Sequence, residues 1–251
     1  MKNSGIFIDN STLINQKGSL SKNEYVYQTI RGMLVSGQLK PGDAVSINTL
    51  REKLNIGATP AREALKRMSG ENALIIGPNR VLYVPKLGYK QFSEIRSLRC
   101  LLEGEAASIG AKCVTEHDLI VLHDIYNRMN ETVTESDVVK YLRCNWEFHR
   151  TIYKMASAPM LLNMIETLWM RAGPYVSIGI IDQDHLKNSM LHHRNILNAL
   201  EEKDSLAARS GIVADITTAC VDILKILKAN EKPESDGKRR RGRASSKKTT
   251  P

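Results

Sequence analysis

A three-residue turn is the feature that most constrains the fold of the N-terminal third. Residues 55–57 (NIG) separate two short amphipathic segments, 48–54 and 60–69, and glycine lets the chain reverse direction there. Thr59 and Pro60 follow the turn, as a helix N-cap and a first helical residue typically do. Two short helices joined in this way form a helix-turn-helix pattern, in which the second helix presents one face to solvent.

The flanking segments complete a small domain around this turn. Ser21 and Glu24 have the spacing of a capping box, so a first helix begins there. Residues 73–76 and 81–84 are apolar runs separated by a turn-rich segment, which predicts a β-hairpin, or wing. We therefore predict a winged helix-turn-helix domain over residues 21–86.

From residue 87 to residue 230 the apolar residues recur at helical spacing in about six segments, with almost no strand signal. This pattern predicts an all-α bundle, a fold that commonly builds ligand sites between its helices. The expected fold class is thus mainly α, with an N-terminal winged helix-turn-helix followed by an all-α ligand-binding bundle.

Charge is distributed unevenly along the chain. Residues 20–86 carry ten Lys and Arg against five Asp and Glu, whereas residues 87–230 carry 16 against 18. A basic module beside a slightly acidic bulk favours contact between the first module and a polyanion such as double-stranded DNA. Residues 1–20 are expected to be flexible, and residues 231–251 to form a disordered basic tail.

The tail contains the segment 239–243 (RRRGR). This segment resembles the core of an AT-hook, which inserts arginines into a narrow minor groove, but Ala244 stands where a proline usually follows. The alternative is a solvated basic tail that adds non-specific affinity for DNA.

Several classes of function find no support in the sequence. No apolar run reaches the roughly 20 residues that a bilayer span needs, and residues 1–10 lack the apolar core of a signal peptide, so we expect a cytoplasmic protein without a membrane partner. Motifs for dinucleotides, P-loop phosphates, hydrolase nucleophiles and metalloproteases are missing, so no enzymatic activity is expected. The four widely spaced cysteines are expected to be reduced and mostly buried.

The second helix of the motif divides into two faces. Ala61, Leu65 and Met68 are predicted to face the core. Arg62 and Lys66 then face outward, where a solvated helix face is the ordinary interpretation and contact with the DNA major groove is the functional one.

Two sets of segments resemble a known family. Residues 36–43 (SGQLKPGD) and 50–65 (LREKLNIGATPAREAL) resemble the winged-helix domain of GntR-type bacterial transcription regulators. Residues 96–107 (RSLRCLLEGEAA), 145–150 (NWEFHR) and 192–200 (HHRNILNAL) resemble the all-helical (FCD-type) effector domain of the FadR-like branch. The resemblance implies a homodimeric DNA-binding regulator, expected to be a repressor, that senses a small-molecule effector, often a carboxylate and sometimes through a bound metal ion.

The sequence departs from the family pattern before the recognition helix. Residues 57–60 read GATP where the family usually has Ser-Arg-Thr-Pro, so one arginine that commonly reaches DNA is missing. We therefore expect Arg62 and Lys66 to be the main groove contacts. The expected contacts to phosphates or groove edges are Arg51, Thr59, Arg67 and Arg80.

The resemblance also implies a metal site in the helical domain. Asn145, His149 and His193 fall where the family has metal ligands, although Asn replaces the usual Asp, and Asp215 stands where the family usually has His. Two nitrogen and two oxygen ligands suit a divalent transition ion such as Zn, Mn or Ni. The alternative is that these histidines are hydrogen-bonded structural residues.

Two arginines are candidate effector ligands. Arg99 matches a family arginine that often faces the pocket and could clamp a carboxylate, but Glu103, four residues later, is an alternative partner for it. Arg143 is a second candidate for the cavity wall.

Two other functions remain open at this stage. A metal-dependent enzyme could use the Asn145, His149, His193 and Asp215 cluster. A non-specific DNA-compacting protein could instead act through the basic tail and wing.

Overall fold

The computed structural model describes residues 21–180 and 183–231, apart from the side chain of Asn79. The expectations for residues 1–20 and for the basic tail after Glu231, including the AT-hook-like segment, lie outside these residues.

The N-terminal domain consists of three helices and a small sheet. The elements are α1 (Lys22–Val35), β1 (Ala44–Val45), α2 (Ile47–Leu54), α3 (Ala58–Gly70), β2 (Ile75–Ile76) and β3 (Leu82–Tyr83). The strands are antiparallel in the order β1-β3-β2, with Leu82 opposite both Val45 and Ile76. The predicted wing is therefore present, and β1 is an additional strand, too short for an alternating pattern to reveal.

The start of α3 corrects one expectation. The helix begins at Ala58, with Gly57 as its N-cap in an extended conformation, so Thr59 is not the cap and Pro60 is the third helical residue. The first-turn N–H groups of a helix have no intrahelical partner, so a proline at this position breaks no hydrogen bond. At α1 the predicted cap is present, because Ser21 Oγ accepts from the Glu24 amide, whereas the Glu24 carboxylate bonds Gln28 and Arg67.

The core of this domain follows the predicted pattern. Ala61, Leu65 and Met68 on α3 are almost completely buried, in the apolar core that also contains Ile30 and Leu34 of α1. The outward face of α3 is thereby fixed, because the helix can bury only one side.

Six longer helices form the rest of the described chain, as the periodicity predicted. They are α4 (Tyr89–Cys113), α5 (Glu116–Glu135), α6 (Val138–Met155), α7 (Pro159–Gly179), α8 (Gln183–Glu201) and α9 (Ser205–Asn230). Within the described ranges, no helix combines the length and the apolar character needed to cross a membrane.

Helix α7 packs directly against the N-terminal domain. At Gly173 a β-carbon would lie only 2.5 Å from the Leu34 carbonyl oxygen and 2.6 Å from Val35 Cα, so the absent side chain allows the close approach to α1. One turn later, Ser177 Oγ accepts from Lys40 Nζ at 2.6 Å. At this point of the domain interface, the backbone of α7 therefore packs directly against the backbone of α1.

An ion triad lies at the same interface. The Glu166 carboxylate on α7 accepts from Arg31 of α1 at 2.7 Å and from Arg150 of α6 at 2.5 Å. The Arg31 and Glu166 side chains are mostly buried, so breaking this network would leave a poorly solvated charge at the domain interface.

The four cysteines are free thiols. Cys144 and Cys220 are buried, Cys100 is partly buried and Cys113 is exposed, so the expectation of burial holds for two of the four.

The close approach at Gly173 predicts a destabilised variant. Gly173→Ala forces a methyl group against backbone atoms that cannot rotate away, so we expect a loss of about 1–3 kcal/mol in the free energy of unfolding. The matched control is Gly32→Ala in α1, where an added β-carbon meets no atom within 4 Å and should stabilise the helix by about 0.5–1 kcal/mol. Denaturant unfolding measures both changes, and equal stability of the two variants would contradict this account of the interface.

Candidate functional site

The outward face of α3 borders a groove. Arg51 of α2, Arg62 of α3 and Arg80 of the wing line this groove together, and all three side chains are exposed. Thr59 and Lys66 are also exposed and lie three residues before and four residues after Arg62, on the same side of the helix. Five of the six predicted DNA contacts are thus available to a ligand on this face.

Arg67, the sixth predicted DNA contact, binds other residues of the N-terminal domain. Its guanidinium bonds Glu71 and Glu24, each at 3.0 Å, and lies 3.5 Å from the centre of the Tyr27 ring. The side chain therefore ties α3 to α1, a role that its sequence position did not indicate because Glu24 is 43 residues away.

The wing holds Arg80 in an unusual backbone conformation. Arg80 ends a short 3₁₀ turn, Pro78–Arg80, with φ at +59°, a region that non-glycine residues seldom occupy. The turn places this cation on the wall of the groove that α3 also lines.

The four side chains predicted to bind metal come together from three helices. Asn145 and His149 lie on α6, His193 on α8 and Asp215 on α9. His193 Nε2 lies 2.8 Å from Asn145 Oδ1 and 3.2 Å from His149 Nε2. Asp215 Oδ2 lies 3.3 Å from His149 Nε2, and its Oδ1 lies 4.0 Å from His193 Nε2. All four potential ligand atoms therefore point at one small volume.

This cluster is buried, and its members differ in charge. Both histidines are fully buried, and Asp215 and Asn145 are nearly so. Burial lowers the pKa of His193 to about 4, although Asp215 favours the charged ring. Burial opposes ionisation of Asp215, but His193 and His149 outweigh it and lower the pKa of this carboxyl to about 2. At neutral pH the cluster thus offers a neutral His193 and an ionised Asp215.

A hydrogen-bond network lies behind His149. His149 Nδ1 lies 3.0 Å from Tyr153 Oη, and Tyr153 donates to Glu103 Oε2 at 2.6 Å. The same carboxylate accepts from Trp169 Nε1 at 2.9 Å and from Arg99 Nε at 2.6 Å. Burial raises the pKa of Tyr153 well above its ordinary value, and the neighbouring Glu103 raises it further, so the phenol keeps its proton.

Arg99 belongs to this network. Its side chain is buried, pairs with Glu103 and lies 4.4 Å from the centre of the Trp169 ring. Of the two roles that the sequence offered for Arg99, the geometry corresponds to the ion pair with Glu103.

Arg143, the other predicted effector ligand, reaches the domain interface. Its Nη2 donates to Gln38 Oε1 at 3.1 Å, in the segment that follows α1.

A cavity of about 110 Å³ lies beside the metal-ligand cluster. Asn145 and Asp215 form part of its wall, and the described lining includes neither Arg99 nor Arg143, nor any lysine or other arginine. The remaining polar lining residues are Tyr141, His185, Asn188, Ser189, His192 and Thr218.

Sequence reasoning offered Glu103 as a partner of Arg99 but missed its bonds to Tyr153 and Trp169 and most of the cavity wall. Tyr153 follows His149 by four residues, as Glu103 follows Arg99, so each pair shares a helix face. That signal was in the sequence, but the meeting of α4 and α6 at these two faces was not.

Comparisons with known families cover both domains. The family described as "Bacterial regulatory proteins, gntR family" matches residues 22–84. The FCD domain matches residues 94–218.

Curated relatives are transcription regulators. The HTH-type transcriptional regulator McbR of Escherichia coli K12 is 31% identical over 186 residues, which cover 73% of this chain and 84% of that protein. The Nta operon transcriptional regulator of Aminobacter aminovorans is 24% identical over 196 residues, covering 78% of this chain and 91% of that protein.

Solved structures show the same architecture. E. coli McbR/YncC superposes with a TM-score of 0.76 at 29% identity, covering 84% of this chain and 98% of that one. A GntR regulator from Rhodococcus sp. RHA1 has a TM-score of 0.66 at 14% identity, which supports the fold alone, over 85% of this chain and all of the other. The winged helix-turn-helix, the all-helical second domain and these relatives together show that this chain belongs to the GntR family of transcription regulators, in the FadR-like branch with an FCD domain.

Proposed function

We propose that this protein is a sequence-specific DNA-binding repressor whose second domain binds a small-molecule effector beside a metal ion. The main support for DNA binding is that Arg51, Arg62 and Arg80 line one groove. Arginines on a recognition helix read guanine edges, whereas cations on a wing meet phosphates. The two curated relatives described above are regulators, which supports a function without catalysis.

The two arginines of this groove have different expected roles. Arg62→Ala should weaken binding to a selected operator by about 1–3 kcal/mol and leave binding to random duplex nearly unchanged, because a base contact is lost. Arg80→Ala should weaken binding to both duplexes alike, because a phosphate contact carries no sequence information. Fluorescence anisotropy titrations at fixed salt compare the two, and an equal loss on both duplexes for Arg62→Ala would reject its assignment.

The metal part rests on the four converging side chains. Ligand atoms held about 2.0–2.2 Å from a tetrahedral ion lie roughly 3.4 Å from one another. Four separations, from His193 to Asn145, His149 and Asp215 and from His149 to Asp215, run from 2.8 to 4.0 Å, and this set of nitrogen and oxygen donors suits a Zn, Mn or Ni ion. A bound ion would supply a Lewis-acidic positive charge at the cavity wall.

The cavity composition supports a small carboxylate that binds the ion as a further ligand, with the ion expanding beyond four-coordination. Without a lysine or arginine in the described wall, a carboxylate needs another cation, and the cluster faces the same space through Asn145 and Asp215. A cavity of 150 Å³ holds benzene in another protein, so about 110 Å³ favours a ligand of only a few heavy atoms.

Helix α7 contacts both the cavity and the winged domain, so it can couple effector binding to DNA binding. Val176 and Gly179 line the cavity, whereas Gly173 and Ser177 contact the end of α1 and the segment after it. A shift of α7 on effector binding would therefore move the winged domain, in the manner of a packed helix sliding between two arrangements.

We propose that the protein acts as a homodimer on a roughly palindromic site, since each chain carries one recognition helix. Leu98 and Leu101 are exposed together on one face of α4, which supplies an apolar surface for a second copy.

Metal content distinguishes the proposed centre from a purely hydrogen-bonded cluster. We expect wild-type protein purified without chelator to carry close to one transition ion per chain, and His193→Ala to carry almost none. Elemental analysis measures this, with His117→Ala, an exposed histidine on α5, as the matched control. A metal-free wild type, or equal content in His193→Ala and the control, would reject the centre.

The experiment that tests the function as a whole is the enrichment of genomic fragments bound by the full chain. A shared motif among the fragments is expected. Binding without any motif at moderate salt would favour the non-specific DNA-compacting alternative.

A further inference from the structure

The hydrogen-bond partners in the buried network behind His149 favour one arrangement of protons. Arginine and tryptophan side chains donate hydrogen bonds and have no acceptor. Arg99 and Trp169 both contact Glu103, so this carboxylate accepts from each of them. Glu103 Oε2 then also accepts from the Tyr153 hydroxyl at 2.6 Å, because Tyr153 has a proton to give.

The single hydroxyl proton of Tyr153 is thereby committed to Glu103. Tyr153 Oη can only accept from its second neighbour, His149 Nδ1, at 3.0 Å. His149 Nδ1 must therefore carry a hydrogen, and in the neutral ring Nε2 then has none.

The bare nitrogen faces the candidate metal ligands. His149 Nε2 lies 3.2 Å from His193 Nε2 and 3.3 Å from Asp215 Oδ2. A lone pair at this position is what a cation requires, whereas a proton there would have to leave first.

We propose that Glu103 and Tyr153 are positioning residues that fix the His149 tautomer with Nε2 unprotonated, in advance of any metal. This inference rests on the proposed metal centre for its purpose. The tautomer itself is a property of the metal-free chain, so it can be measured separately.

The test is the tautomeric state of His149 in full-length, chelator-treated protein labelled with ¹⁵N-histidine. Long-range ¹H–¹⁵N spectra recorded above the ordinary histidine pKa separate the two tautomers, and His149→Gln assigns its signals among the six histidines. We expect the hydrogen on Nδ1 in the wild type. In Tyr153→Phe the acceptor is lost, and we expect the hydrogen on Nε2, where Asp215 accepts it.

The matched control is Tyr27→Phe. Tyr27 is a buried tyrosine on α1 whose hydroxyl donates to the Glu71 carboxylate at 2.7 Å, so this change also removes a hydrogen bond from a tyrosine to a glutamate. Its removal should leave the tautomer unchanged, so a shift seen only in Tyr153→Phe separates positioning from a general loss of packing.

The second readout is Zn²⁺ affinity, measured by competition with a chromophoric chelator. Tyr153→Phe should bind Zn²⁺ about 10- to 100-fold more weakly than the wild type, and Tyr27→Phe should bind it with wild-type affinity.

The outcomes are distinguishable. A wild-type His149 protonated at Nε2 overturns this inference even if Tyr153→Phe fails to fold, and so does a folded Tyr153→Phe with the wild-type tautomer. If the wild type binds no Zn²⁺, Mn²⁺ or Ni²⁺, the proposed metal centre is wrong, and the tautomer measurement still decides the role of Tyr153.

Discussion

A buried carboxylate, Glu103, organises the helical domain. Its side chain has no exposure to solvent, and an unpaired charge in that position would cost several kcal/mol. Donors from three helices satisfy it: Arg99 from α4, Tyr153 from α6 and Trp169 from α7. These helices can therefore pack only in a register that brings all three donors to one point, and the same register sets His149 against His193.

The second constraint is the contact of α7 with both domains. Gly173 brings the helix against the α1 backbone, and Glu166 joins Arg31 to Arg150 across the same interface. An adjacent face of α7, with Val176 and Gly179, lines the cavity beside the candidate metal ligands. A change in either region therefore alters the packing of one rigid element, without a chain of intermediate contacts.

Much of the architecture was predictable because helical periodicity and turn chemistry are local properties. The apolar positions of α3, the wing and the six long helices followed from spacing alone. The set of metal-ligand candidates came from the family resemblance, and the structure adds their convergence. The start of α3 was misplaced because the extended backbone of Gly57 can begin a helix without a side-chain cap.

The sequence by itself determined the fold class, the outward face of the recognition helix and the pairing of Arg99 with Glu103 as an alternative, since each depends on residues a few positions apart. Only the tertiary structure decided that Arg67 bonds Glu24, that Arg143 reaches Gln38, and that Tyr153 links Glu103 to His149. The physical reason is that these contacts join faces of different helices, and which faces meet depends on how the whole core packs.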